Sequence, residues 1–182
     1  YNLDMNFIIQ KETTQITSRK TGKLYSFVRG DKILLAEDAV RQIAIVCNEP
    51  QIYDNFFAEI FKGKRYSEHN ACTFIKLISE GWIIKNRFDW LILCEGEIVG
   101  TIGIKSLDGE IGYWQSSKHP GVMTSATQAV CVQAQYAGFS SLWAYVKKTN
   151  APSIKVLAGA GFQLDPNLTG QREDTYGYRI SF

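Results

Sequence analysis

Glu110–Phe162 reads EIGYWQSSKHPGVMTSATQAVCVQAQYAGFSSLWAYVKKTNAPSIKVLAGAGF, and this stretch decides the fold. Two short apolar runs alternate in it with two segments whose small apolar residues recur at helical spacing. Glycine stands at the end of each helical segment, where a left-handed residue is favoured. The stretch therefore predicts, in order, a strand over Glu110–Gln115, a turn over Ser116–Gly121, a helix over Val122–Ala137, a strand over Ser141–Val146 and a helix over Asn150–Gly161.

The turn between the first strand and the first helix predicts an anion site. The N-terminus of a helix has backbone N–H groups without partners inside the helix, and the helix dipole adds a partial positive charge. Phosphate groups bind at such ends. We therefore expect free N–H groups to point at whatever occupies this turn.

The rest of the sequence completes one predicted α/β domain over residues 1–182. Residues 1–23 form either an extra strand or a loose lead-in, and they lack the apolar centre of a secretory signal. Ser67 is a helix-capping residue, and we expect Gly81 to end the helix that Ser67 begins. Further strands are predicted at Leu24–Val28, Phe88–Cys94, Ile98–Ile104, Phe162–Leu164 and Thr175–Phe182, and further helices at Ala36–Cys47 and Glu68–Ser79.

The composition is that of a globular domain. Hydrophobic residues make up 45% of the chain and charged residues 21%, which excludes a disordered chain. No apolar run reaches membrane-spanning length, so we expect no membrane segment. The net charge is only +2, with Lys and Arg scattered, so we expect no nucleic-acid partner.

The four cysteines are expected to be structural. Cys47, Cys72, Cys94 and Cys131 form no C-x-x-C pair and have largely apolar neighbours. This pattern is typical of reduced cysteines in a cytoplasmic protein. Metal binding is a poorer interpretation, because neither of the two histidines stands at ligand spacing from a cysteine.

Two motifs in the deciding stretch carry a family resemblance. The first is the strand EIGYW, Glu110–Trp114, and the second is the helix pattern N-x-x-S-I-x-V-L-x-x-x-G-F, Asn150–Phe162. Together with the intervening turn and helix they resemble the GNAT acetyltransferases, in particular the RimJ/RimL type, which acetylates N-terminal amino groups of ribosomal proteins. The resemblance implies the GNAT fold, a mixed and mostly antiparallel sheet of six to seven strands with helices on both faces. It also implies a monomer or homodimer.

The resemblance further implies acetyl-CoA as the cofactor and an amine as the acceptor, either a small molecule or a peptide N-terminus. The strand edge at Tyr113, Trp114 and Gln115 would bind the pantetheine arm. The N–H groups of Gly121, Val122, Met123, Thr124, Ser125 and Ala126 would hold the phosphates. Asn150 would contact the coenzyme through its amide, although a purely local helix cap explains the same residue equally well.

Acetyl transfer from a thioester to an amine needs a base for the amine and a proton donor for the departing thiolate. Glu110 is our candidate base, and its alternative role is that of an exposed carboxylate at a strand end. Many relatives carry a Tyr donor where this chain has Leu157. The resemblance therefore gives the donor role to Ser153, whose alternative is an ordinary serine at a helix start.

The turn departs from the family pattern at two positions. Pro120 stands where Arg or Gln is usual and has no N–H, and Met123 stands where Gly is usual. We expect the Met123 side chain to crowd a bound pyrophosphate. An alternative function therefore stays open, a catalytically impaired protein of the same fold that acts as a binding module.

Overall fold

The computed structural model describes residues 13–33 and 35–182. Its first sheet has five strands in chain order, and each strand pairs with the next in antiparallel register. These strands are β1 (Thr13–Thr17), β2 (Leu24–Arg29), β3 (Phe88–Cys94), β4 (Glu97–Ile104) and β5 (Ile111–Gln115).

The second sheet is smaller and follows the order β6-β8-β7. Its strands are β6 (Ser141–Lys147), β7 (Gln163–Leu164) and β8 (Thr175–Ser181), and its pairings are also antiparallel. The predicted fold class is confirmed. The described residues form eight strands rather than six or seven, because Thr13–Thr17 in the N-terminal region forms an additional strand.

The two sheets meet where β5 begins. Glu110 forms a parallel bridge with Trp143, whose N–H donates to the Gly109 carbonyl at 2.9 Å. Beyond this bridge, no ladder connects β5 to β6 in the part of the chain that the structure describes. The strands therefore diverge, and a cleft opens between them.

Helices cover both faces of the first sheet, as predicted. Alternate residues of β3 point to opposite faces, so Trp90 packs in one core cluster and Leu91 in the other. The first cluster contains buried residues of α5 and α6, and the second contains those of α1 and α4. The helices are α1 (Glu37–Cys47), α2 (Pro50–Ile52), α3 (Ala58–Phe61), α4 (Glu68–Ile84), α5 (Val122–Tyr136) and α6 (Ala151–Gly159), with a π-helical turn at Tyr53–Phe57 and a 3-10 turn at Gly30–Lys32.

Helix α4 corrects one predicted boundary. Ser67 caps it as expected, in a capping box with Asn70, but the helix continues past Gly81 to Ile84 and ends at a left-handed Lys85. Gly81 is required for a different reason. A Cβ there would lie 2.7 Å from the Cβ of Arg87, so the glycine permits close packing of the chain that leaves the helix.

Helix α5 lies close to the sheet through its small residues. Ala126, Val130 and Ala134 are fully buried, as their spacing predicts. Gly138 then ends the helix with a φ of 91°, and the next N–H returns to the Ala134 carbonyl at 3.0 Å. On α6, Leu157 is buried and its neighbour Ala158 is exposed.

The N-terminal region is partly described. Thr13–Thr17 forms the edge strand β1 and pairs with β2, which agrees with the interpretation of residues 1–23 as an extra strand. The apolar pair Ile8-Ile9 lies outside the described residues. Every helix within residues 13–33 and 35–182 is too short or too polar to cross a bilayer.

Candidate active site

The cleft between β5 and β6 contains two adjoining cavities. The first, of about 210 Å³, lies near the point where the strands meet, and we call it the vertex cavity. The second, of about 270 Å³, borders Gln115 and Met123 at the start of α5, and we call it the helix cavity. Both cavities are lined by Asn55, Phe56, Tyr113, Asn150 and Ser153.

One edge of β5 faces this cleft with its hydrogen-bonding groups. The Lys105 N–H donates to the Glu110 carbonyl at 2.7 Å, and the Ser116 N–H donates to the Val99 carbonyl at 2.8 Å. Backbone groups alternate in direction along a strand, so even-numbered residues of β5 face β4. The N–H and C=O groups of Tyr113 and Gln115 therefore face the cleft.

The backbone N–H and C=O groups of Trp114 do not face the cleft. Its backbone groups point at β4 by the same alternation, and its side chain is only 8% exposed and packs against Phe74. The backbone groups of Trp114 therefore lie outside the open edge, although the residue lines the helix cavity. The open edge consists of Tyr113 and Gln115, and their contact with a coenzyme stays a prediction.

Tyr113 and Ser153 form a hydroxyl pair across the cleft. The phenol of Tyr113 and the Oγ of Ser153 share a hydrogen bond of 2.7 Å, and the phenol also lies 3.2 Å from the Ser153 carbonyl. Burial raises the pKa of the Tyr113 phenol, and the hydrogen bond to Ser153 offsets this only in part. Sequence reasoning assigned the Tyr113 backbone a role and missed its side chain, which becomes apparent once the strand orientation is known.

Asn150 caps α6. Its side-chain oxygen accepts a hydrogen bond from the Ser153 N–H at 3.2 Å, which is the local explanation that the sequence left open. The residue also lines both cavities, so the cap places it beside the predicted coenzyme position.

The turn before α5 is less open than predicted. The carboxylate of Glu49 accepts hydrogen bonds from the Ser116 hydroxyl at 2.6 Å and from the Ser117 N–H at 3.0 Å. The side-chain oxygen of Gln115 accepts the Met123 N–H at 3.0 Å. The expectation of free N–H groups throughout the turn is therefore wrong at Ser117 and Met123, because polar side chains of this chain already satisfy them.

A basic hairpin turn covers the same region. The Ser18 hydroxyl donates to the Pro120 carbonyl at 2.9 Å, and the Arg19 N–H donates to the Gly121 carbonyl at 3.4 Å. A Cβ at Gly121 would lie 2.6 Å from the Lys20 Cβ. The turn between β1 and β2 thus brings Arg19 and Lys20 next to the start of α5. The basic sequence SRKTGK indicates a charged turn. The neighbouring residues do not indicate which part of the chain this turn contacts.

The remaining predicted phosphate residues contribute little through their side chains. Val122, Met123 and Ala126 are buried in the core. The Ser125 hydroxyl donates to the Thr17 carbonyl at 2.7 Å, and Thr124 is half-buried near Gly159. Met123 is 2% exposed and borders the helix cavity from the core side. The structure thus does not support the expectation that Met123 crowds the turn.

Glu110 lies at the vertex of the cleft with its side chain 18% exposed. Its Oε1 is 3.1 Å from the Lys105 ammonium and 3.8 Å from the Arg172 guanidinium. The Lys105 side chain reaches Glu110 across Gly112, and a Cβ at Gly112 would overlap it. The candidate base is therefore a partly buried, ion-paired carboxylate and not an isolated one at a strand end.

Comparison with known proteins adds a family match. A family model described as an acetyltransferase (GNAT) domain matches residues 34–163. A search of the curated proteins found no significant match. The matched span includes the cleft from Asn55 to Ser153.

Several solved structures share the fold. Mycobacterium smegmatis RimJ in complex with CoA-disulfide has a TM-score of 0.72 at 16% identity, and the match covers 93% of this chain and 86% of that one. The microcin C7 self-immunity acetyltransferase MccE, in complex with acetyl-CoA and AMP, has a TM-score of 0.68 at 16% identity, covering 87% and 92%. A Salmonella typhimurium acetyltransferase that modifies the N-terminal serine of ribosomal protein L7/L12 has a TM-score of 0.68 at 14% identity, covering 87% and 95%.

Proposed function

The chain belongs to the acetyltransferase (GNAT) domain family, and on that premise we propose that it transfers an acetyl group from acetyl-CoA to a primary amine. Family membership confirms the acetyltransferase class that the motifs EIGYW and N-x-x-S-I-x-V-L predict. The observation that carries the proposal is the divergence of β5 from β6, which leaves the edge at Tyr113 and Gln115 open to the cleft.

The cleft suits a coenzyme arm in its shape and its donors. An extended ligand with amide groups can pair with an open strand edge as an added strand would. The Tyr113 and Gln115 backbone groups supply that edge, and the two cavities on either side of Tyr113 form a path along it. Asn150 borders both cavities, and we propose that its amide contacts the same arm.

The phosphates would bind at the start of α5, from Gly121 to Ala126. Arg19 and Lys20 supply positive charge there, which Pro120 does not. The Gln115 side chain can turn away from the Met123 N–H, because a neutral amide acceptor is a weaker partner than a phosphate oxygen. Basic side chains of the hairpin turn thus add positive charge beside a turn in which the Ser117 and Met123 N–H groups are already bonded.

Acetyl-CoA supplies an activated thioester, and residues of the chain manage the protons. The Glu110 carboxylate at the vertex can hold the ammonium of the acceptor and accept its proton. Ser153, hydrogen-bonded to the Tyr113 phenol, can donate a proton to the departing thiolate. Because burial raises the pKa of that phenol, Tyr113 stays protonated near neutral pH. It can pass to Ser153 the second proton that the acceptor nitrogen loses as the amide forms, so that both hydroxyls end protonated.

A second candidate function has one observation in its favour. Glu49 and Gln115 already accept the Ser117 and Met123 N–H groups, so the turn resembles a closed surface more than an open anion site. A protein that kept the fold without binding the coenzyme would have this arrangement. The two candidates differ in whether acetyl-CoA stabilises the protein.

Thermal unfolding with acetyl-CoA distinguishes them. A ligand at a hundred times its Kd adds about 2.7 kcal/mol to the free energy of unfolding, which raises Tm by about 5 to 10 °C in a protein of this size. We expect such a rise for the wild type. We expect a smaller one for the double variant Arg19→Gln, Lys20→Gln, and the full rise for the control Lys76→Gln on the exposed side of α4.

The absence of any rise at millimolar acetyl-CoA would favour the binding module over the enzyme. An equal rise in Tm for the wild type and the double variant would support the enzyme. It would also show that Arg19 and Lys20 do not bind the phosphates.

A further inference from the structure

Positive side chains predominate around the vertex cavity. Lys105, Lys147 and Arg172 line it, and among the described lining residues Glu110 is the acidic one. A bare ammonium ion entering this cavity would meet more positive than negative charge. The surroundings therefore favour an acceptor that brings an anion with its amine.

The Arg172 side chain is 56% exposed, and its guanidinium lies over an aromatic ring without forming a close ion pair to any described residue. Its guanidinium lies 4.2 Å from the ring centroid of Tyr145, and the Tyr145 hydroxyl donates to the side-chain oxygen of neighbouring Gln171 at 2.7 Å. The contact with Glu110, at 3.8 Å, is longer than a hydrogen bond. A planar guanidinium that lies over an aromatic face can bind a carboxylate through two parallel hydrogen bonds.

Lys147 adds a second cation on the β6 side of the cavity. Its ammonium is 3.4 Å from Glu59, but the Glu59 side chain is 87% exposed, so water screens that pair. Lys105, on the β5 side, is the close partner of Glu110. With Lys105 matched to Glu110, Lys147 and Arg172 are the cations available to a ligand.

We propose that the acceptor is an amine with a carboxylate next to it, with Arg172 binding the carboxylate and Glu110 the amine. When such a zwitterion binds, its carboxylate pairs with Arg172 and its ammonium pairs with Glu110. These two ion pairs replace the long Glu110–Arg172 contact, so each residue keeps an opposite charge beside it. The same chemistry is found in a free amino acid and in a peptide N-terminus followed by an acidic residue. The inference deepens the proposed acetyl transfer and rests on it.

Two pairs of acceptors test the proposal and separate its sources. The first pair is serine and serinamide. The second pair is the dipeptide amides Ser-Asp-NH₂ and Ser-Asn-NH₂. The rate of coenzyme A thiol release is measured for each compound. We expect kcat/KM to be about tenfold higher for the carboxylate member of one pair, which is the size of one charge-assisted contact. The pair that shows the preference identifies the source.

The variant Arg172→Gln should reduce that preference to about one, mainly through a higher KM for the acceptor. The control Arg41→Gln, on exposed α1, should leave the preference unchanged. Equal kcat/KM within both pairs would overturn the proposal, as would a preference that survives in Arg172→Gln.

Failure of the proposed function would be visible separately, because acetyl-CoA would then not raise the Tm of the protein. Calorimetric binding of the same four compounds decides the site in that case. Tighter binding of a carboxylate compound that is lost in Arg172→Gln supports it. Equal binding within both pairs, or no binding of any compound, overturns it.

Discussion

At the scale of single residues, the Tyr113–Ser153 hydrogen bond changes how the cleft is understood. The motif N-x-x-S placed a serine at the start of α6, but it gave no partner for the hydroxyl. The structure supplies one from β5, 40 positions earlier in the chain and 2.7 Å away. A phenol that stays protonated near neutral pH can relay a proton to the serine to which it is hydrogen-bonded.

Replacing Tyr113 by Phe tests this pair. The change removes one hydroxyl and keeps the ring and the strand edge, so we expect kcat to fall about a hundredfold with little change in the KM for acetyl-CoA. Steady-state rates of thiol release measure both values. The exposed Tyr136, changed to Phe, should have no effect.

Because the two hydroxyls act as one unit, the double variant Tyr113→Phe, Ser153→Ala should be no slower than either single variant. A kcat for Tyr113→Phe equal to that of the wild type would show that the phenol only supports the structure.

At the scale of elements, helix α5 shows what a sequence pattern can and cannot predict. Its small-residue stripe and its glycine end followed from spacing alone, and both are present. The position of the Met123 side chain could not be predicted in this way. A family pattern compares residue types at each position and does not indicate the direction of a side chain. The Met123 side chain enters the core beneath the turn and is almost fully buried.

We therefore expect Met123→Ala to act on stability. Truncating a buried methionine leaves a cavity and costs about 2 to 5 kcal/mol of unfolding free energy. The matched control on the same helix is Val132→Ala, whose side chain is 48% exposed and should cost well under about 1 kcal/mol. Denaturant unfolding measures both, and equal small losses would contradict the buried position of Met123.

The start of α5 was the element least accessible to sequence reasoning. The prediction of free N–H groups there was wrong at Ser117, because Glu49, between α1 and α2, accepts that N–H. The Ser18 hydroxyl, from the first hairpin, also bonds to the Pro120 carbonyl of the same turn. Both partners lie more than 60 positions away along the chain. No local pattern signals such contacts, whereas caps such as Asn150 and Ser67 are local and were predicted correctly.

At the scale of the whole molecule, one geometric feature connects the fold to the proposed chemistry. Two sheets meet at Glu110 and Trp143 and then separate, which places an open strand edge between two helix starts. The sequence predicted the strands on both sides of this point because each is a short apolar run between turn residues. It could not predict the separation itself, since that depends on how the two sheets pack against α5 and α6.

The central claim is that the open edge of β5 binds the arm of acetyl-CoA. Backbone amide shifts of the ¹⁵N-labelled protein, followed during titration with acetyl-CoA, test it directly. The account predicts large, saturable shifts at Tyr113 and Gln115 and a clearly smaller one at Trp114, whose N–H faces β4. Saturable binding that leaves Tyr113 and Gln115 unshifted, or no binding at all, would contradict it.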